Sequence, residues 1–183
     1  SYGGWLFGLA LALAALALAG PSWQRLPDIS FKARDARVLV LDLSRSMLAE
    51  DLKPNRLTRA RYRLSDLLRN TREGQIGLVA YAGDAYVVTP LTSDTNTVAN
   101  LLPALRPDVV PVAGSRADRG LELAADLLRR SGQGGGEILL VTDSIEGAAI
   151  ARAESLSSDG IVTSVLAVGT PGGAPISSGG GFV

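Results

Sequence analysis

The chain has 183 residues, of which 46% are hydrophobic, and its eighteen basic and eighteen acidic residues cancel at pH 7. This length and composition suffice for one compact domain with a hydrophobic core and a short additional segment. The balanced charge argues against a dedicated nucleic-acid surface, which usually has a basic excess. Because the chain contains no Cys and no His, disulfides, Ser-His-Asp triads and ordinary catalytic zinc sites are excluded, and any metal must be held by oxygen.

An apolar run lies at the start of the chain. Residues 3–20 carry no charge and consist almost entirely of Leu, Ala, Gly and aromatic side chains. As an α-helix this run is about 27 Å long, close to the hydrocarbon thickness of a bilayer. Tyr2, Trp5 and Trp23 lie where an aromatic belt is expected. The run predicts a transmembrane helix over 3–20; a buried core helix and a signal-peptide core are the alternatives.

The segment after this run is polar. Pro21 and Pro27 are expected to end the helix, and residues 21–37 are predicted to form a linker. Its basic residues favour a cytoplasmic face by the positive-inside rule, but the opposite flank is too short for the comparison, so the orientation stays open. Because the chain opens on Ser1, we expect it to be a fragment of a longer protein.

From residue 38 onward, apolar strands alternate with amphipathic helices. Strands are predicted at 38–41, 76–81, 85–89, 138–141 and 161–168, and helices at 56–69, 95–102, 116–130 and 148–156. The second and third strands flank Gly83-Asp84, which predicts a hairpin. Strands that are apolar on both faces are typical of a parallel sheet covered by helices on both sides. The pattern predicts an α/β fold with a doubly wound, mostly parallel sheet flanked by helices.

Oxygen-bearing side chains follow two of these strands and precede one helix. They are Asp42, Ser44 and Ser46 after the first strand, Ser115 before the third helix, and Asp143 after the fourth strand. Open α/β sheets bind ligands beyond the carboxyl ends of their strands, so we expect these five residues to meet there. Their oxygens suit Mg²⁺, Mn²⁺ or Ca²⁺ rather than copper or zinc. The sequence therefore predicts a divalent metal site, with a coordination position free for a partner's carboxylate.

The first of these segments carries a family resemblance. Residues 42–46, Asp-Leu-Ser-Arg-Ser, resemble the DxSxS metal-ion-dependent adhesion site (MIDAS) motif of von Willebrand factor A (VWA) domains. Ser115 stands where the family usually has Thr, and Asp143 matches the family's Asp after a strand. The resemblance implies a Rossmann-like VWA domain over 38–183, which we expect to be truncated at its C-terminal end.

The resemblance also implies a role for each site residue. Ser44, Ser46 and the Ser115 hydroxyl are implied to ligate the metal directly. Asp42 and Asp143 are implied to lie near the metal, often through water.

The wider pattern is similar to one subgroup, the bacterial Bat (aerotolerance-type) membrane proteins, in the stretches 48–57, 77–83, 89–94 and 168–176. Members carry membrane helices before the domain and are commonly linked with MoxR-type AAA+ ATPases. The resemblance implies a protein of the bacterial inner membrane, anchored by a single helix within this sequence. It further implies a non-enzymatic protein-protein interaction through the metal, in assembly with a MoxR-type ATPase or other Bat-type proteins.

Two other functions stay open. A structural membrane subunit with a degenerate metal site is the first, because Ser115 lacks the methyl group that restrains χ1 of Thr and Ser144 replaces the family's usual Gly. A metal-dependent phosphatase is the second. It is disfavoured because haloacid-dehalogenase-type enzymes need an Asp where Ser44 stands, and receiver domains need a late Lys, whereas none follows Lys53.

Basic side chains lie inside the motif and on the first amphipathic helix. Arg45, inside the motif, is predicted to project into solvent, where an acidic partner is the alternative role. Arg56, Arg59 and Arg63 form a stripe on the first amphipathic helix. The stripe is predicted to be a solvated face, with binding to a partner or to lipid headgroups as the alternative.

Overall fold

The computed structural model of the chain describes residues 36–132 and 135–170, together with positions 2, 4–6, 8, 11, 177–178 and 181–182. The chain separates into two units, 1–31 and 32–183. Of the described residues in the first unit, Gly4, Trp5, Leu6, Gly8 and Leu11 are helical. The rest of the predicted transmembrane helix, and residues 21–35 of the predicted linker, lie outside the described residues. Among the positions that are described, none belongs to a helix long and apolar enough to span a bilayer.

The second unit alternates strands with helices, as predicted. Its strands are β1 (Ala36–Asp42), β2 (Gln75–Tyr81), β3 (Ala85–Thr92), β4 (Gly136–Thr142) and β5 (Ile161–Ala167). Its helices are α1 (Arg56–Asn70), α2 (Thr95–Leu101), α3 (Ala117–Arg130) and α4 (Gly147–Ser158). Short 3₁₀ turns span Arg45–Leu48, Leu102–Ala104 and Pro107–Val109, and two-residue strands β6 (Ser177–Ser178) and β7 (Gly181–Phe182) pair with each other. The first strand begins at Ala36, two residues before its predicted start.

The five longer strands form one sheet in the order β3-β2-β1-β4-β5. All neighbours are parallel except β2 and β3, which form the predicted antiparallel hairpin. The prediction of a mostly parallel α/β sheet is therefore confirmed. Because β1 lies in the centre, with β2 on one side and β4 on the other, the strand order reverses at β1. Such a switch point leaves a crevice at the carboxyl end of the strands, where α/β proteins bind ligands.

Alternate residues of β1 pack into two separate cores. Leu39 and Leu41 belong to a core that includes Leu57, Ala60, Leu64 and Leu68 of α1. Val38 and Val40 belong to the opposite core, which includes Leu121, Ala124, Ala125 and Leu128 of α3. Because side chains alternate between the faces of a strand, an apolar run such as that of β1 satisfies both layers at once. This packing on both faces fixes the position of β1 in the sheet, and therefore the position of its carboxyl end.

Helix α3 approaches the sheet most closely at Gly120. A Cβ atom at this position would lie 2.9 Å from Cγ1 of Val40 and 3.1 Å from Cδ1 of Tyr81. We expect Gly120→Ala to lower the free energy of unfolding by about 1–2 kcal/mol, because overpacking outweighs the better helix propensity of Ala. Urea denaturation measures the change. Gly147→Ala is the matched control, since no atom lies within 4 Å of its added Cβ; an equal loss in both variants would contradict the packing argument.

Candidate metal centre

Asp42 lies at the end of β1, fully buried, and its carboxylate is held by three donors. The backbone N–H of Ser44 donates to Oδ1 at 2.7 Å. The hydroxyls of Tyr81 and Thr142 donate to Oδ2 at 2.9 Å and 2.7 Å. These two residues end the strands on either side of β1, so the sheet itself brings the donors to Asp42. The Thr142 hydroxyl also lies 2.8 Å from the carbonyl oxygen of Ser144.

The electrostatics of this group follow from its burial. Burial raises the pKa of Asp42, and the hydrogen bonds from Ser44, Thr142 and Tyr81 oppose that shift. Burial, reinforced by the negative charge of Asp42, also raises the pKa of the Tyr81 phenol. Tyr81 therefore stays protonated and remains a donor. The result is a buried carboxylate whose orientation is set from three directions.

The 3₁₀ turn Arg45–Leu48 places two hydroxyls side by side. The backbone N–H of Met47 donates to the carbonyl of Ser44 at 3.2 Å, and the side chain of Met47 is buried, which anchors the turn to the core. As a result, Oγ of Ser44 and Oγ of Ser46 lie 2.9 Å apart. Arg45 lies between them and is exposed, as predicted.

Asp143 follows β4 and is bound by an arginine from α1. Nη1 of Arg56 donates to Oδ2 of Asp143 at 2.7 Å, and the same guanidinium donates from Nε and Nη2 to Asp51 at 2.8 Å each. The side chains are 12% exposed for Arg56, 4% for Asp51 and 2% for Asp143, so this is an ion-pair network inside the protein. The hydrogen bonds from Arg56 lower the pKa of Asp51.

The second carboxylate oxygen of Asp143 is free. Oδ1 is buried and has no hydrogen-bond partner among the residues that the structure describes. An unpaired buried carboxylate oxygen is costly, and a cation or a cation-bound water removes that cost. With two neighbouring hydroxyls and a second carboxylate at the same edge of the sheet, the donor set fits a hard divalent cation.

The loop that contains Ser115 is held against the end of β2. The N–H of Gly83 donates to the carbonyl of Val112 at 2.9 Å, and the N–H of Arg116 donates to the carbonyl of Ala82 at 2.7 Å. Gly114 has a φ of 147°, and a Cβ there would lie 2.8 Å from Cα of Gly83. Only Gly fits this contact between two backbones.

This docking brings the Ser115 loop to the carboxyl edge of the sheet that also carries Asp42 and Asp143. Ser115 is half-buried, and its hydroxyl has no hydrogen-bond partner within the described residues. Within the described part of the chain, this centre included, no group of three or more acidic side chains is placed to hold a metal, so the candidate site depends on hydroxyls beside carboxylates.

Sequence reasoning missed four residues of this centre: Tyr81, Thr142, Arg56 and Asp51. For Arg56 the prediction of a solvated stripe was wrong, because this side chain is buried in two ion pairs, whereas Arg59 and Arg63 are exposed. The sequence does contain a signal for the ion pairs of Arg56. Arg56 is the first residue of α1, where a cation opposes the helix dipole, so a specific acidic partner is needed to stabilise it there.

Comparison with known proteins places this geometry in a family. The model of the von Willebrand factor type A domain matches residues 37–146. A protein of Mycobacterium ulcerans called UPF0353 is 38% identical over 99 residues, which are 52% of this chain and 28% of that protein. The chain therefore spans less than a third of the length of this curated relative.

Two solved structures are similar over most of the chain. An aerotolerance-related membrane protein from Bacteroides fragilis is 36% identical with a TM-score of 0.74, and the match covers 80% of this chain and 73% of that one. The conserved hypothetical protein BatB from Bacteroides thetaiotaomicron is 33% identical with a TM-score of 0.73, covering 81% and 74%. Domains of this family commonly bind a divalent metal at the MIDAS motif and mediate protein interactions. The chain belongs to the von Willebrand factor type A domain family and is a relative of the bacterial Bat aerotolerance proteins.

Proposed function

We propose that this domain binds a divalent cation, Mg²⁺ in the cell with Mn²⁺ or Ca²⁺ as substitutes, and that the bound cation recruits a partner protein. The observation that carries the proposal is the buried Oδ1 of Asp143, which no described residue pairs with, at the sheet edge where the Ser44 and Ser46 hydroxyls lie 2.9 Å apart. Those two hydroxyls and that of Ser115 are the proposed direct ligands. Asp42 and Asp143 balance the charge and hold metal-bound water. Since Mg²⁺ keeps several waters in its octahedron, a position stays open for an Asp or Glu of the partner.

The surface around this centre supports a protein partner. The three loops that carry the proposed ligands also carry four aliphatic side chains that are 38–56% exposed: Leu48, Val109, Val112 and Ile145. A cleft of about 270 Å³, lined in part by Ser44, Arg45 and Pro111, lies between two of these loops. Exposed apolar side chains that surround a polar centre are typical of binding surfaces. Arg45 has no ion-pair partner among the described residues and adds a positive charge that suits an acidic segment.

The proposal is one of binding rather than catalysis. Among the described residues, three hydrogen-bond donors hold the carboxylate of Asp42, and Arg56 holds the carboxylate of Asp143. Neither arrangement pairs a nucleophile with a general base, as covalent or acid-base catalysis requires. A metal-dependent turnover of a phosphate ester that disappears in Asp42→Asn would contradict this part of the proposal.

We further propose that the domain, which begins with β1 at Ala36, is joined by the preceding linker to a transmembrane helix at 3–20 in the bacterial inner membrane. The description of the Bacteroides fragilis relative as a membrane protein supports this location. The resemblance to Bat proteins supports a partner of the MoxR-type AAA+ ATPases or another Bat-type protein. Co-purification of the membrane protein with and without Asp42 tests the assembly.

Metal binding itself is tested by isothermal titration of the 183-residue chain in detergent. We expect Mg²⁺ to bind, and Ser46→Ala to weaken binding by at least about tenfold, since even residues that only orient a metal ligand contribute that much. Ser157→Ala, an exposed serine of α4, is the matched control and should bind like the unaltered chain. If the unaltered chain binds none of Mg²⁺, Mn²⁺ and Ca²⁺, the proposal fails and a structural subunit with a degenerate site takes its place.

A further inference from the structure

The guanidinium of Arg56 joins parts of the chain that are far apart in sequence. On one side it contacts Asp143 after β4, and on the other it contacts Asp51 in the loop before α1. Asp51 in turn accepts two hydrogen bonds from Thr170, one from the backbone N–H at 2.8 Å and one from the hydroxyl at 2.9 Å. Thr170 follows β5, so Arg56 and Asp51 connect the metal centre to the segment that leaves the sheet.

Arg56 shares its guanidinium N–H groups between Asp51 and Asp143, and this sharing determines how it binds Asp143. Asp51 takes the Nε and Nη2 edge in a bidentate pair, and only Nη1 reaches Asp143. Among the described residues, Asp143 is therefore oriented through Oδ2 alone, and none of them pairs with its Oδ1. An arginine without this competitor would offer Asp143 the same two-point pairing and would occupy both oxygens.

The charges around Arg56 also support this role of the arginine at Asp143. Asp51 and Asp143 contact the single guanidinium of Arg56, and the ionised carboxylate of Asp42 at the same sheet edge adds a third negative charge. The four groups together carry a net charge of two minus, which a divalent cation neutralises. Arg56 thus holds Asp143 in place without cancelling the charge that attracts the metal.

The segment after β5 is fitted to this cluster. The N–H of Val168 donates to the carbonyl of Thr142 at 2.9 Å, so the ends of β5 and β4 are tied together. Gly169 has a φ of 148°, and a Cβ there would lie 3.1 Å from Nε of Arg56, so Gly lets the chain pass closely over the guanidinium. The next residue, Thr170, then reaches Asp51.

We propose that Arg56 is a positioning residue of the metal centre, and that the Asp51–Arg56 pair couples metal binding to docking of the 168–170 segment. This inference rests on the proposed metal binding. Docked Thr170 orients Asp51, Asp51 keeps the Nε and Nη2 edge of Arg56 away from Asp143, and Asp143 presents Oδ1 to the metal. Because coupling between two sites is reciprocal, bound metal stabilises the docked segment to the same extent.

The first test compares Mg²⁺ affinities by isothermal titration of the full chain. Arg56→Lys keeps the charge but replaces the planar fork by a compact ammonium, which cannot reproduce the two-point pair with Asp51 together with the contact to Asp143. Asp51→Asn frees Arg56 to pair with both oxygens of Asp143. We expect each variant to bind Mg²⁺ about 10- to 100-fold more weakly, as is usual when the partner of a metal ligand is changed. The matched control is Arg37→Lys, because Arg37 also donates from Nε and Nη2, here to one oxygen of Glu137, at the start of β1 and away from the metal centre.

The second test measures coupling, which a merely structural role would not produce. In the unaltered chain, Mg²⁺ should slow amide hydrogen exchange at Thr170, whereas in Asp51→Asn the rate at Thr170 should not respond to Mg²⁺. Thr170→Val removes one exposed hydroxyl donor and leaves both ion pairs in place, so it should fold normally and bind Mg²⁺ a few-fold more weakly.

The outcomes separate the two proposals. If the unaltered chain binds no divalent cation, the proposed function fails. If it binds Mg²⁺ and the variants Arg56→Lys, Asp51→Asn and Thr170→Val all bind within twofold of it, the positioning role is overturned. Should Arg56→Lys or Asp51→Asn lose its cooperative melt, Thr170→Val and the exchange rate at Thr170 still decide.

Discussion

Replacing Asp42 by Asn is expected to abolish the stabilisation of this domain by Mg²⁺ while leaving its fold intact. Asn has the shape of Asp and still accepts the hydrogen bond from the N–H of Ser44, and the hydroxyls of Tyr81 and Thr142 can accept as well as donate. The negative charge at the centre of the site is lost, and with it the attraction for the cation. The buried network is therefore kept, whereas the metal-dependent stability is removed.

Thermal unfolding with Mg²⁺ and with EDTA measures this effect. A ligand present at a hundredfold excess over its dissociation constant stabilises by about 2.7 kcal/mol, which corresponds to a rise in Tm of roughly 5–10 °C for a domain of this size. We expect that rise in the unaltered chain and in Asp66→Asn, an exposed carboxylate of α1 that serves as the control. A Tm of Asp42→Asn that still rises with Mg²⁺ would contradict the assignment of Asp42 to the metal centre.

Replacing Gly83 by Ala is expected to lower the free energy of unfolding by about 3 kcal/mol and to weaken Mg²⁺ binding as well. The added Cβ would lie 2.4 Å from the carbonyl oxygen of Ala113 and 2.6 Å from Cγ1 of Val112. A backbone carbonyl cannot rotate away as a flexible side chain can, so the cost lies at the upper end of that for overpacking. The loop must shift, and it carries Ser115 with it.

Urea denaturation gives the stability change, and isothermal titration gives the metal affinity. Gly77→Ala in β2, the strand before Gly83, is the control, because its Cβ would have no neighbour closer than 3.5 Å, which is an ordinary contact. We expect Gly77→Ala to change neither quantity appreciably. If Gly83→Ala loses stability but binds Mg²⁺ as before, then the position of Ser115 does not matter to the metal, and Ser115 leaves the proposed ligand set.

The order of strands and helices was predictable because the apolar pattern of each element is unambiguous. The run 38–41 is apolar at every position, which requires a strand covered on both faces, and β1 is the central strand. The boundaries were less accurate, since Ala36 and Arg37 belong to β1 although Arg37 reads as a polar linker residue. Its side chain pairs with Glu137 of β4, which lies beside it in the sheet. Such a pair joins residues a hundred positions apart, and local sequence does not reveal it.

The candidate site was predictable to the extent that its residues follow strands. Asp42, Ser44, Ser46 and Asp143 were identified because the carboxyl ends of neighbouring parallel strands meet. The residues that hold them were not, because Tyr81 and Thr142 read as ordinary strand residues, and Arg56 as part of a surface stripe. What distinguishes these three is a contact across the fold, and a contact of that kind depends on register and packing rather than on local pattern.

The hydroxyl of Thr142 carries a single proton, yet it lies within hydrogen-bond distance of two acceptors, Oδ2 of Asp42 and the carbonyl oxygen of Ser144. It can donate to only one of them at a time. If the carboxylate of Asp42 becomes a weaker acceptor, the Thr142 hydroxyl can donate instead to the carbonyl of Ser144, in the loop that carries Asp143. A rotation about the Cβ–Oγ bond of Thr142 thus exchanges the hydrogen bond to Asp42, at the end of β1, for one to Ser144, in the loop after β4.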